Sequence, residues 1–402
     1  MIGRNEVMEL SKEFGLAPHI IEKDYVLDWL IAGISNNSAL RNEWVFKGGT
    51  CLKKCYFETY RFSEDLDFTA TNAGQLNEHF LTETFKNISE WIYEAAGVEL
   101  PKESIRFEVY QNIRTKISVL GKIGYKGPIG RGGDLPRIKL DVTSDEALVL
   151  EPVRRQINHP YSDRPAEGIH VLCYPFEEVF AEKIRALAER ERPRDLYDVI
   201  HLFRHGAPVR NREKILEVLR KKCAFKNIPL PTVEILQGKP ERNELESEWK
   251  NMLAHQLPVL PSFKQFWEEL PQLFDWLYKS VKKAVPASIS FGREQIDPGW
   301  SAPGMSHPWG IGVPLETIRF AGANHLCVNL GYDGSKRLIE PYSLKRTKDG
   351  NLILAAIKHD TGESRSYRID RIESVEVTQT QFEPKHPVDL TANILVSWDG
   401  VI

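Results

Sequence analysis

Two short segments, Phe46-Lys-Gly-Gly-Thr50 and Arg61-Phe-Ser-Glu-Asp-Leu-Asp-Phe68, constrain this chain more than anything else in it. The second alternates as a strand, so Asp65 and Asp67 project from one face while Leu66 and Phe68 enter a core. Two close carboxylates repel unless something positive lies between them. Magnesium, held through one or two carboxylates and completed by substrate phosphates, is the usual solution. In the first segment Trp44-Val45-Phe46 reads as a short buried strand, and Thr50 onward as the start of a helix. Gly48 and Gly49 let the backbone approach a ligand, and a helix N-terminus receives phosphate. Singly, each piece is also what a glycine turn with Thr50 as N-cap, or an acidic hairpin facing water, would show. Together, at this spacing, they point to phosphate chemistry.

The chain's 402 residues predict two or three domains with ample core. A net charge of −3 removes any global basic signal for nucleic acid, so such binding would have to come from local patches. No apolar run approaches a membrane span, and the opening residues lack a signal peptide's apolar region. The five cysteines, Cys51, Cys55, Cys173, Cys223 and Cys327, have no zinc spacing. Cys51 and Cys55, four apart, read as small core residues. These features predict a cytoplasmic protein with no membrane partner.

Helical periodicity covers residues 5–35 and 74–96, and strands are expected at 105–111, 115–125, 136–143 and 169–174. The glycine-rich stretch from Lys126 to Asp134 joins two strands rather than preceding a helix, so it reads as a flexible basic turn. In Ile138-Lys-Leu-Asp-Val142 the apolar residues point one way, and Lys139 and Asp141 the other. Asp141 becomes a third carboxylate beside the first two if the strands are neighbours; alternatively it is a solvated surface residue. In the expected helix Phe176–Arg190, Lys183 falls within the apolar arc and must snorkel or meet a buried anion. The next helix starts near Asp195, which is either an N-cap or part of the site.

Residues 206–283 look helical. They carry a basic run (Arg210, Arg212, Lys214, Arg220, Lys221, Lys222) that is a solvated face or receives RNA, and an aromatic run at core spacing. Residues 285–313 read as a proline- and glycine-rich linker. Short strands broken by Asp333-Gly334, Asp349-Gly350 and Thr361-Gly362 then indicate a small all-β barrel.

Glu22-Lys-Asp-Tyr25, the two opening segments, Lys139-Leu-Asp141, Glu177 with Lys183, and Arg194-Asp-Leu-Tyr-Asp198 resemble, in order and spacing, the AbiEii/AbiGii toxin family. These are nucleotidyltransferase-like toxins of toxin–antitoxin and phage-abortive-infection systems. The resemblance implies an α+β fold with a polymerase-β-like nucleotidyltransferase core and a helical extension. It further implies nucleotide binding at Gly48, Gly49 and Thr50, with Lys53, Ser63 and Lys139 beside them. Metal would sit at Asp65, Asp67 and Asp141; with Lys183 and Asp195, which match later motifs, these form the expected catalytic set, Lys183 neutralising phosphate charge. Some members add nucleotides to tRNA 3′ ends.

Residues 314–385 resemble a WYL domain, an Sm/SH3-like barrel, through Tyr332, Arg337, Glu340-Pro341, Tyr367 to Ile372 and Phe382. The eponymous triad reads Leu352-Ile353-Leu354 here. Arg337, Arg365, Arg368 and Arg371 are its anion-binding candidates. The expected organisation is thus a core (1–205), a helical domain (206–284), a linker (285–313), the WYL-like barrel (314–385) and a tail (386–402). The expected function is Mg2+-dependent transfer of a nucleoside monophosphate from an NTP to RNA, above all the tRNA 3′ end, by a toxin whose cognate antitoxin is encoded separately. The alternatives are nucleotidyl or phosphoryl transfer to protein, and a nucleotide- or nucleic-acid-sensing regulator working through the WYL-like barrel.

Overall fold

The computed structural model describes residues 1–112, 114–130, 132–206, 211–239, 242–279, 287–300 and 315–390. Arg210, most of the expected linker and most of the tail lie outside them.

Helix α1 (Arg4–Phe14) ends at Gly15, whose φ of 63° supplies the left-handed C-cap, and Pro18 opens α2 (Pro18–Asn36). The single periodic stretch expected at 5–35 is therefore two helices. A seven-stranded sheet follows: β1 (Trp44–Lys47), β2 (Asp65–Ala70), β3 (Arg106–Gln111), β4 (Ile117–Gly124), β5 (Arg137–Thr143), β6 (Val153–Gln156) and β7 (His170–Cys173), in the order β3-β4-β5-β2-β1-β7-β6. Only the β2–β5 and β1–β7 ladders are parallel. Strand β5 alternates exposed and buried residues, so Ile138, Leu140 and Val142 enter the core as its pattern demands.

Between β1 and β2, the four-residue α3 (Gly48–Cys51) runs into a wide helical turn at Leu52–Tyr56. Helix α4 (Glu78–Ala96) packs on α2, and α5 (Phe176–Arg190) packs on α6 (Pro193–Gly206) and α7 (Arg212–Lys226). The short helices α8 (Val233–Gln237), α9 (Arg242–Ser247), α10 (Trp249–Leu253) and α11 (Phe263–Glu268) precede α12 (Leu270–Lys279). Phe263, Phe266, Phe274 and Trp276 are buried, as their spacing indicated. The basic run on α7 is neutralised in part: Lys222 meets Glu178 and Glu182 at 2.9 and 3.0 Å, Lys221 pairs with Glu217, and Arg212 with Glu213, while Lys214 and Arg220 are exposed with no ion pair among the described residues.

The C-terminal unit opens with α13 (Leu315–Ala323). An antiparallel sheet of β8 (Leu326–Tyr332), β9 (Ser335–Arg346), β10 (Leu352–Lys358), β11 (Ser364–Arg368) and β12 (Ile372–Gln381) follows, in the order β11-β10-β9-β8-β12. The sheet curls enough for Tyr332 on β8 to meet Tyr367 on β11, with ring centroids 5.2 Å apart. Strand β9 escapes the sequence pattern because Pro341 sits where the β9–β10 register shifts. Helix α13 seats this unit on the first. Arg319 pairs with Glu316 at 2.8 Å and approaches Glu58 at 3.9 Å, Thr59 donates to Glu316 at 3.1 Å, and Tyr197 donates to Asn324 at 3.0 Å. All of these residues are buried.

Candidate active site

The register of the large sheet assembles the acidic residues. Strand β2 runs parallel to β5 with Asp65 opposite Lys139 and Asp67 opposite Asp141, so all four side chains share a face. On the other flank Lys47 lies opposite Asp67. Lys47 was not singled out in the sequence, although it stands inside the glycine motif; only the β1–β2 pairing gives it a place in the site.

Burial is the largest influence on Asp67 and raises its pKa. Lys47 and Lys183 pull it back, Asp141 and Asp65 push it up again, and the outcome is about 6. Asp141 is also raised, first by burial and then by Asp65, against Lys47 and Lys139. Both shifts are led by the loss of water around the carboxyl; at Asp67 the pull of each lysine exceeds the push of either acid, so burial rather than unbalanced charge keeps the proton on. The three carboxylates do not form the tight cage expected from sequence. Their oxygens do not all come within 4.8 Å of one another; among the described residues the set that does is Cys51, Cys55 and Cys173. Asp65 instead turns toward Arg194, 3.9 Å away. Mutual repulsion and the pull of that guanidinium account for the spread.

The glycine turn is shaped around these acids. Gly48 has φ 81°, and a Cβ there would lie 2.1 Å from Asp67 Oδ2. A Cβ on Gly49 would meet Arg61 at 2.5 Å and Ser63 Oγ at 3.1 Å. Both glycines are therefore required for the turn to close on β2. Thr50 is fully buried and donates its hydroxyl to the Asp65 carbonyl at 2.5 Å, so it fixes the start of β2 rather than capping α3. Ser63 stays beside the turn. Lys53 points elsewhere: its ammonium donates to the Glu58 carbonyl at 2.6 Å and lies over the Phe62 ring, away from the carboxylates.

Behind the site lies a buried ionic network. Arg61 grips Asp198 with Nε and a terminal nitrogen at 2.7 and 2.8 Å. Lys183 reaches Asp198 at 2.7 Å and Asp195 at 3.5 Å, and Arg190 binds Asp195 at 2.7 and 2.9 Å. Burial raises the Asp198 carboxyl, but Arg61 and Lys183 outweigh it and hold it well below the carboxylate range. Lys183 thus meets a buried anion, and that anion is protein. Asp195 is the third residue of α6, not its N-cap, and it is inaccessible. Asp198, the last residue of the Arg194–Asp198 motif, is the hub. Beside Glu177 of the motif, Glu178 is fully buried, accepting from the backbone of Val149 and Leu150 and pairing with Lys222.

The remaining motif residues are scaffold. Lys54 bridges Asp24 and Asp28 at 2.6 Å each, and Tyr25 donates to Asp163 at 2.6 Å. Glu22 accepts from the Ile129 amide at 2.7 Å, which pins the turn expected to be flexible. The three clustered cysteines, Cys51 and Cys55 on the helical turn after β1 and Cys173 at the end of β7, are fully buried. In the small unit, Arg365 is matched by Glu363 and Arg368 by Asp370, while Arg337 donates to the Tyr332 carbonyl. Of the four anion candidates there, Arg371 is exposed with no ion pair among the described residues.

Residues 29–279 match the family described as nucleotidyl transferase AbiEii toxin of type IV toxin–antitoxin systems, and residues 315–377 match the WYL domain. No curated protein is significantly similar. Among solved structures, MenT4, a nucleotidyltransferase toxin of Mycobacterium tuberculosis, is 17% identical over 71% of this chain and 91% of its own, with a TM-score of 0.48. JHP933 of Helicobacter pylori is 16% identical over 66% of this chain and 94% of its own, with a TM-score of 0.41. At that distance neither adds to what the family match establishes.

Proposed function

Because the chain belongs to the AbiEii nucleotidyltransferase toxin family of type IV toxin–antitoxin systems, we propose that it transfers a nucleoside monophosphate from an NTP to a 3′-hydroxyl of RNA, with the tRNA end as acceptor. The observation that carries this reading is the β2–β5 register, which sets Asp67 opposite Asp141 and Asp65 opposite Lys139 on one sheet face.

The donor set fits a hard divalent cation. It consists of carboxylate oxygens, those of Asp67 and Asp141 charged only against the cost of burial that raises their pKa, a cost a bound cation offsets. Asp65, Asp67 and Asp141 would hold Mg2+, which supplies charge stabilisation at the attacking and leaving oxygens when bound. The chain's own residues do the rest. The Gly48-Gly49 turn, with Ser63 against it, and Lys139, opposite Asp65, would receive the triphosphate. Lys47 keeps positive charge against Asp67, burial opposing and Glu182 and Glu146 favouring its charged form. The network of Arg61, Lys183, Asp195 and Asp198 acts by positioning: it anchors the segment that delivers Asp65 and Asp67, and it touches no substrate. A triphosphate, an antitoxin encoded separately and an RNA acceptor are the partners; no described helix is long and apolar enough to cross a membrane.

The test is incubation of the protein and Mg2+ with each labelled NTP, total RNA and a cell lysate, resolved on one gel. Label in RNA that is lost in Asp67→Asn is the expected result. Label in protein alone, or undiminished incorporation by Asp67→Asn, overturns the proposal.

A further inference from the structure

The face that carries the carboxylates continues outward as a row of positive charge. Arg106 on β3 pairs in register with Lys122 on β4, Lys122 with Lys139 on β5, and Lys139 with Asp65 on β2. At about 4.8 Å per strand, the row extends roughly 14 Å from Asp65 to the sheet edge. Arg137, two residues before Lys139, adds a fourth cation on the same face. All four are exposed, and among the described residues none has a carboxylate within ion-pair distance. The cations around the site behave differently: Lys47, Lys183, Arg190 and Lys222 each meet a carboxylate.

Stability does not explain this row. Like charges directly opposite one another weaken a sheet. A cation on an exposed edge strand protects against aggregation, which accounts for Arg106 but not for Lys122 or Lys139, since β4 and β5 are inner strands. Nor does a nucleoside triphosphate: Lys139 adjoins Asp65, but Arg106 lies two strands further out, about 10 Å away. The neighbouring rows are not cationic. One runs Asp67, Asp141, Leu120, Glu108, and the next ends at Tyr110, which is 44% exposed and offers an aromatic face.

We propose that Arg106, Lys122, Arg137 and Lys139 form a track for the sugar–phosphate backbone of the acceptor RNA, which leads its 3′ end to Asp65, Asp67 and Asp141, with Tyr110 placed to stack on a base. The inference rests on the RNA-acceptor reading above and adds where the polymer lies.

The test uses the full chain, Arg106→Gln/Lys122→Gln, and a fluorescein-labelled RNA hairpin with a single-stranded CCA 3′ end, followed by anisotropy across a salt series. The double variant should bind about tenfold or more weakly at low salt. Its plot of log affinity against log salt should be shallower by about 1.4, ~0.7 for each lost phosphate contact. Binding of a fluorescent NTP should be unchanged, and the melting temperature equal or higher because opposed like charges are removed. RNA affinity and salt slope equal to the parent overturn the track, as does a parent protein that does not bind the hairpin. Asp67→Asn separates the two readings, since it should keep RNA affinity while losing transfer. Row-dependent RNA binding by a protein that labels no RNA sinks the acceptor reading and leaves the track standing.

Discussion

Replacing Asp67 by asparagine should make the metal-free protein more stable while abolishing transfer. The carboxyl sits at about 6 in the folded protein against an ordinary value of 3.8, because burial and the neighbouring Asp141 and Asp65 outweigh Lys47 and Lys183. A difference of about 2 pKa units is about 3 kcal/mol, reduced to roughly 2 kcal/mol for a side chain that is only half-buried. The sign follows from proton binding. The folded state binds the proton more tightly than the unfolded one, so the penalty is absent below about pH 4, grows as pH rises, and is complete above about pH 6. At about 2.1 cal/mol/K per residue, 402 residues give an unfolding entropy near 0.8 kcal/mol/K, so the gain at neutral pH is about 2 °C. Differential scanning calorimetry in EDTA should show Asp67→Asn melting above the parent at pH 7.5 and level with it near pH 4. Adding Mg2+ should raise the parent's melting temperature and leave the variant's unmoved. If the variant melts at or below the parent in EDTA at neutral pH, the account of Asp67 as a carboxylate charged at a cost of burial is wrong, whatever its activity.

Three other outcomes are expected. Gly48→Ala imposes a Cβ at φ 81° and 2.1 Å from Asp67 Oδ2; it should cost about 1–2 kcal/mol in denaturant melts and depress transfer far more than stability. Asp198→Asn leaves Arg61 and Lys183 facing a neutral amide in the core; it should cost about 3–5 kcal/mol, and Arg61→Met added to it should recover part of that loss in a double-mutant cycle. Arg319→Met removes the guanidinium that pairs with Glu316 and approaches Glu58 under α13; a fall in melting temperature together with weaker transfer is expected, because Glu58 and Thr59 lead directly into Arg61, and unchanged transfer would show that the small unit does not steady the site.

Several features could be read without a structure because they depend on local chemistry. The alternation in Asp65–Phe68 and Ile138–Val142 decides which side chains face together, the glycine pair marks a turn that no Cβ fits, and the ordered motifs identify the family. The same local logic merged α1 with α2 across Gly15, and a proline at a shifted register interrupts the alternation along β9.

What remained invisible was which face meets which. That Asp67 lies opposite Asp141 is a matter of parallel pairing between strands separated by a helix and two other strands. The partner of Lys183, the hub position of Asp198, the gathering of Cys51, Cys55 and Cys173, and the cationic row from Lys139 to Arg106 are likewise products of strand order and helix packing. A chain's own periodicity specifies the direction of a side chain, but the identity of the neighbour depends on the whole core choosing one arrangement in which every apolar face is buried.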